Sequence, residues 1–277
     1  MLAVSTTTAY TLSVALASFF VMGVGAVVFL PRLDPVGFLK EFLRTDWKYL
    51  GVAWLVTNGV NTVAHRFHAE QTFTWLVYEF EGPVVAAFQS VANEPLTLLF
   101  TAAYLVGFPT IVLFTYFKLK AHDEREARRY ALAYVVLVLL AVPFFVFVPV
   151  GIPALYPAVA VQPLIFDVSP VIRAGMLATD TMVKAFPSLH TGLSVLAALY
   201  ARKAGVRYAA TAGALAALIV FSTFYLGIHW LTDAAFAVVL VGIAYWVSRN
   251  VAPERVLPVP AFGGLRPAFL GPDRESE

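Results

Sequence analysis

The chain contains no cysteine, which excludes disulfides, thiolate metal sites and a cysteine nucleophile. It is also poor in charge. Asp, Glu, Lys and Arg make up 13% of its 277 residues, where soluble domains carry roughly 25%. So few charges cannot cover a soluble surface of this size, and hydrophobic residues reach 60%. The solvent for much of the chain is therefore lipid, and disordered, coiled-coil and soluble globular classes are excluded. A net charge of +2, with no basic run interleaved with aromatics, excludes a nucleic-acid partner. Alternation at period two is missing over any useful length, so no strand pattern competes with helix.

What the chain does have is long apolar runs. A hydrocarbon core of roughly 30 Å needs about 20 apolar residues in helix. Tyr10–Leu30, Leu96–Phe117, Tyr130–Val150 and Tyr208–Ile228 reach that length without one charged side chain. Tyr49–Ala64, Ser188–Ala201 and Trp230–Val247 are shorter or more polar, the last with Asp233 near its start. These predict an all-α polytopic membrane protein of about seven helices. It forms a single transmembrane domain over 1–252, with a loose proline- and glycine-rich cytoplasmic tail at 253–277. The first segment has no basic residue before it and outruns a signal-peptide core, so it reads as a retained helix.

Orientation follows from Lys and Arg, which stay on the cytoplasmic side. Alternating connections give one side Pro31–Lys48, Lys118–Arg129, Arg202–Arg207 and the tail, with 16 of the 19 basic residues. The other side receives only Arg66, Arg173 and Lys184. The expectation is an integral protein of the plasma membrane, N-terminus outside and C-terminus inside. Five prolines between Phe147 and Pro170 predict an irregular outer loop over Val150–Phe186, long enough to serve as a cap. An interfacial helix is expected around Thr72–Ala92.

The ionisable residues cluster at the outer boundary. His190 opens the fifth span in Phe186-Pro187-Ser188-Leu189-His190, and His229 stands four residues before Asp233. An i, i+4 pair shares a helix face, so the Asp233 carboxylate can orient one His229 nitrogen and leave the other free to attack. Ser188 is a natural N-cap, and the helix start beneath it offers free N–H groups and the positive dipole end to an anion. Two histidines, a carboxylate and an anion site describe phosphoryl transfer through a phosphohistidine. His229 is the expected nucleophile and His190 the acid for the leaving oxygen.

In these motifs the chain resembles the type 2 phosphatidic acid phosphatase superfamily, membrane enzymes with a six-helix core. The family's second motif, Pro-Ser-Gly-His, corresponds to Pro187-Ser188-Leu189-His190, with Leu for Gly. Its third, Ser-Arg, five residues, His, three residues, Asp, corresponds to Ser222-Thr223, His229 and Asp233. Order and spacing agree over roughly Asp167–Asp233. The resemblance implies an extra N-terminal helix on the six-helix core, a phosphoenzyme at His229, His190 as general acid and no cofactor. Two departures stand out. The third-motif Arg, a phosphate clamp, is Thr223 here. The first motif, Lys, six residues, Arg-Pro, is broken, with Phe166 and Ala174 at the outer positions around Arg173. Both losses resemble the inositol phosphorylceramide synthase-like branch, which transfers a head group rather than releasing phosphate. The implied partners are a phosphorylated lipid and, for transfer, a polyol or lipid alcohol.

A phosphate still needs cations. Arg173 and Lys184 are the expected replacement clamps, with Arg66 weaker and His65 and His68 as helpers. Other readings compete for some residues. Two histidines and an aspartate could hold zinc, but nothing else at ligand spacing joins them, so no metal is expected. Asn58, Asn61 and His65 share a helix face suited to interhelical hydrogen bonding, and Ala209, Gly213 and Ala217 suit close helix packing. His122 falls in a charged inner loop and reads as solvated, and the Trp and Tyr residues near span ends read as interfacial anchors. A catalytically inactive lipid-binding protein, or a transporter, is the alternative function.

Overall fold

A computed structural model describes residues 5–31, 50–57, 72–179 and 182–256, with 34, 37 and 59. The described chain is all-α, without a named strand; a single parallel bridge joins Val150 and Lys184. Among the described residues five helices are long and apolar enough to cross a membrane: α1 (Thr6–Phe29), α3 (Glu94–His122), α4 (Glu124–Phe147), α8 (Val206–Tyr225) and α9 (Leu231–Asn250). A sixth apolar helix, α7 (Leu189–Ala201), has 13 residues, a rise of about 20 Å, two thirds of a hydrocarbon core. Short helices α2 (Thr74–Glu81), α5 (Leu164–Val168) and α6 (Pro170–Thr179) complete the set used below. The second expected span, 49–64, is helical over 50–57. Asn58, Asn61, His65, Arg66 and His68 lie outside the described residues.

Caps explain where the helices start. Asn93 accepts from the Leu96 N–H at 3.0 Å to open α3, and Asp123 accepts from Arg125 and Glu126 to open α4. Each replaces a partner that helix geometry denies the first turn. With Asp123 as cap, α4 begins at Glu124 rather than Tyr130. The charged run becomes a first turn tied by Arg128–Glu124 and Arg129–Glu126 pairs. Glu126 also accepts from Arg249 at 2.7 Å, clamping α4 to the end of α9. His122 closes α3 instead of standing in a loop.

Two apolar cores lie along the bundle axis. One joins α1, α3, α4, α7, α8 and α9 through residues such as Leu119, Ala141, Leu196 and Ile219. The other sits at the histidine end and recruits Val85, Val150, Ile165, Met176, Tyr225 and Trp230. The second core corrects the expectation of an irregular outer loop. Three of its five prolines sit at helix starts: Pro153 opens a 3₁₀ turn, Pro163 caps α5 and Pro170 opens α6, while Pro149 and Pro157 lie outside helices. At a helix start a fixed φ and a missing N–H cost nothing. Gly213 is a second correction. No atom lies within 4 Å of where its Cβ would be, so it faces open space rather than a closely packed helix.

Candidate active site

The site is built at the junction of two strand-like segments. Residues 182–185 run beside 150–152, with Ile152 N donating to Met182 O at 3.0 Å and Ala185 N to Val150 O at 2.9 Å. Both N–H groups of the pairing are thereby satisfied. The Ala185 carbonyl then points at His229, which it meets at 2.9 Å from Nδ1. Asp233 Oδ2 lies 3.2 Å from the same nitrogen and accepts the Trp230 N–H at 2.8 Å. His229 is 5% exposed and Asp233 fully buried.

The helix-face argument for this pair needs correction. α9 begins at Leu231, so His229 precedes it, and Asp233 reaches back from the first turn as a cap. His229 is delivered instead by a reversal after α8. Its N–H, and that of Ile228, donate to Thr223 O at 3.1 and 3.0 Å, and Gly227 adopts φ +75° to turn the chain.

The partners of Nδ1 fix its protonation. A carbonyl can only accept, and a carboxylate accepts when ionised, so Nδ1 carries the hydrogen. In the neutral ring Nε2 then holds the lone pair. His190 is close: its ring centroid lies 6.0 Å from that of His229. Ser188 caps α7 by accepting the Thr191 N–H at 3.2 Å, and its own N–H donates to Asp233 O. The N–H groups of Leu189 and His190 bond to no described residue, so the start of α7 presents two donors beside the histidines.

The two expected clamps separate here. Lys184 adjoins Ala185, places its ammonium 5.2 Å from the Phe145 ring centroid and lies near enough to His190 for their charges to interact. Arg173 lies exposed on α6. Thr223, at the place of the family Arg, is fully buried and donates its hydroxyl to Val220 O at 2.7 Å. Among the described residues no three His, Asp or Glu side chains gather as metal ligands.

Three elements were missed by sequence reading. The Ala185 carbonyl carries no side-chain signal at all. Tyr104, stacked on His190 at 4.0 Å, stands inside an apolar run, away from its ends, and carries no motif signal. Glu81, at the end of α2, accepts from Leu231 N at 3.2 Å and from Thr232 N and Oγ1 at 2.8 Å. A carboxylate, one of the pair Glu79 and Glu81 in an otherwise aromatic and apolar stretch, is its available signal. Glu81→Ala strands those donors, so a loss of about 1–2 kcal/mol of stability is expected. Thermal unfolding in detergent measures it.

A family model described as the PAP2 superfamily matches residues 74–247, more than half of the chain and all of the residues just described. No curated protein and no solved structure matches.

Proposed function

The chain belongs to the PAP2 superfamily, and from that membership we propose that it is a membrane lipid phosphoesterase or head-group phosphotransferase working through phosphohistidine at His229. The observation that carries the proposal is the commitment of Nδ1 to two acceptors, Ala185 O and Asp233. That leaves Nε2 as the nucleophile.

The Nε2 lone pair attacks phosphorus, the bond from phosphorus to the leaving oxygen breaks, and His190 gives that oxygen its proton. Asp233 stabilises the cationic ring that forms, as a buried carboxylate does in a triad. Ser188, the start of α7, Lys184 and Arg173 neutralise the phosphoryl oxygens, with Lys184 the better placed of the two cations. In the second half, neutral His190 removes a proton from water or an alcohol, whose oxygen displaces His229. Water gives a phosphatase; a polyol or lipid hydroxyl gives a transferase. The excess of Lys and Arg at the opposite end supports an active site on the outer leaflet of the plasma membrane, C-terminus inside. No metal or organic cofactor enters these steps.

The branch is proposed from two departures. Thr223 in place of Arg and the Phe-Pro-Ser-Leu-His form of the second motif favour an inositol phosphorylceramide synthase-like transferase. The missing Arg equally favours the second reading, a lipid-binding or transport protein of the same fold without catalysis. Purified protein offered lipid phosphates and phospholipids, with and without free alcohol acceptors, inositol and a lipid alcohol among them, separates them. Release of phosphate indifferent to acceptor marks a phosphatase, and a new phospholipid formed only with acceptor marks a transferase. Either activity must vanish in His229→Ala; turnover retained there overturns the mechanism. Binding without turnover supports the second reading.

A further inference from the structure

α3 is not a regular helix. Between Ala103 and Gly107 it widens into a π-turn. Such a turn holds one extra residue, so the chain beyond it is rotated by about one residue's step, roughly 100°. Tyr104 lies within the turn and Phe108 directly follows it. Both rings meet His190: Tyr104 stacks on the imidazole at 4.0 Å with 18° between planes, and Phe108 approaches at 4.2 Å. Tyr104 is 3% exposed, so its ring is itself held in place by the bundle.

The two histidines are thus held differently. His229 is anchored through Nδ1. The His190 side chain makes no hydrogen bond to a described residue, and the rings of Tyr104 and Phe108 pack against it. A group that gives a proton in one step and takes one in the next needs a fixed ring with its nitrogens unengaged. Aromatic stacking supplies that, contributing about 0.5–1.5 kcal/mol beyond burial, where a hydrogen bond would occupy a nitrogen. π-turns are rare and recur at functional sites.

We propose that the π-turn exists to set Tyr104 against His190, making Tyr104 a positioning residue for proton transfer to the leaving oxygen. The inference rests on His190 being the general acid. A leaving-group comparison tests it. Dodecyl phosphate departs as an alkoxide that needs a proton, whereas 4-dodecyl-2-nitrophenyl phosphate departs as a stabilised phenolate that does not.

With Tyr104→Leu, kcat on the alkyl ester is expected to fall about 10- to 100-fold, a loss typical of a misplaced catalytic group. KM and the nitrophenyl rate should stay within about threefold, since binding and nucleophile are untouched. Tyr104→Phe keeps the ring and should restore the alkyl rate. Adding His190→Ala to Tyr104→Leu should cost no more than His190→Ala alone, as coupled residues do. Should Tyr104→Leu fail to fold, Phe108→Leu removes the other ring and is read the same way.

A folded Tyr104→Leu protein that slows both esters alike, or neither, overturns the inference while His190→Ala remains leaving-group selective. If His190→Ala itself slows both alike, the general-acid assignment fails. A wild-type chain inert on both esters, with or without an alcohol acceptor, overturns the inference, and one inert on the lipid phosphates and phospholipids with acceptor as well overturns the functional reading.

Discussion

Asp233→Asn is expected to lower kcat about 10²- to 10⁴-fold, with KM and thermal stability little changed. Asparagine matches aspartate in shape but replaces one acceptor with a donor. Asp233 Oδ2 accepts from both Trp230 N and His229 Nδ1. If the new amide oxygen faces those donors, the Nδ1 hydrogen is kept but the negative charge beside the ring is lost. If the amide nitrogen faces them, donor meets donor, and His229 is driven toward the tautomer whose hydrogen sits on the attacking nitrogen. Either orientation weakens the nucleophile. The Ala185 carbonyl still holds Nδ1, which is why some activity should survive. Steady-state kinetics on detergent-solubilised protein, with a thermal melt as the folding control, measures both sides of this expectation.

Gly227→Ala is expected to destabilise the protein by about 2–4 kcal/mol and to abolish turnover, through backbone strain and overpacking together. Gly227 holds φ +75°, a region L side chains rarely adopt. A Cβ there would lie 2.7 Å from the Gln162 carbonyl oxygen, 2.8 Å from Val161 and 2.9 Å from Ala154. These atoms belong to the cap core, and Ala154 N donates to Gly227 O at 3.2 Å. Relief therefore has to come from moving the turn that delivers His229 two residues later. Gly213→Ala is the control. That position is helical and open, so it should gain up to about 1 kcal/mol from helix propensity alone. Melting temperatures and turnover of the two variants side by side test the contrast.

These expectations draw on features that differ in how far the sequence exposes them. The long apolar runs are visible because lipid imposes a composition on every residue facing it, so α1, α3, α4, α8 and α9 are legible within a few residues. Their ends are less so. Asp123 extends α4 through six charged or small residues by a capping bond, which hydropathy does not register. The order within Val150–Phe186 is hidden for a related reason: proline forbids helix interiors but favours helix starts, and a count does not say which. In the site, His190, His229 and Asp233 are legible as ionisable residues in an apolar chain, arranged at motif spacing. Their supports are not. A backbone carbonyl at Ala185 has no sequence signature, and the π-turn breaks the 3.6-residue period from which the face of Tyr104 would be read. Glu81 meets α9 across about 150 positions of chain, a contact only the folded cap creates.

The account turns on one bond, from phosphorus to His229 Nε2. Rapid acid-free quenching of the wild-type protein during turnover of a ³²P-labelled lipid phosphate, followed by peptide mass spectrometry, looks for it directly. The prediction is an acid-labile, alkali-stable phosphoryl group on His229, longer-lived in His190→Ala when the acceptor step is slowed and absent in His229→Ala. Turnover with no covalent label, or a label on any other residue, would contradict it.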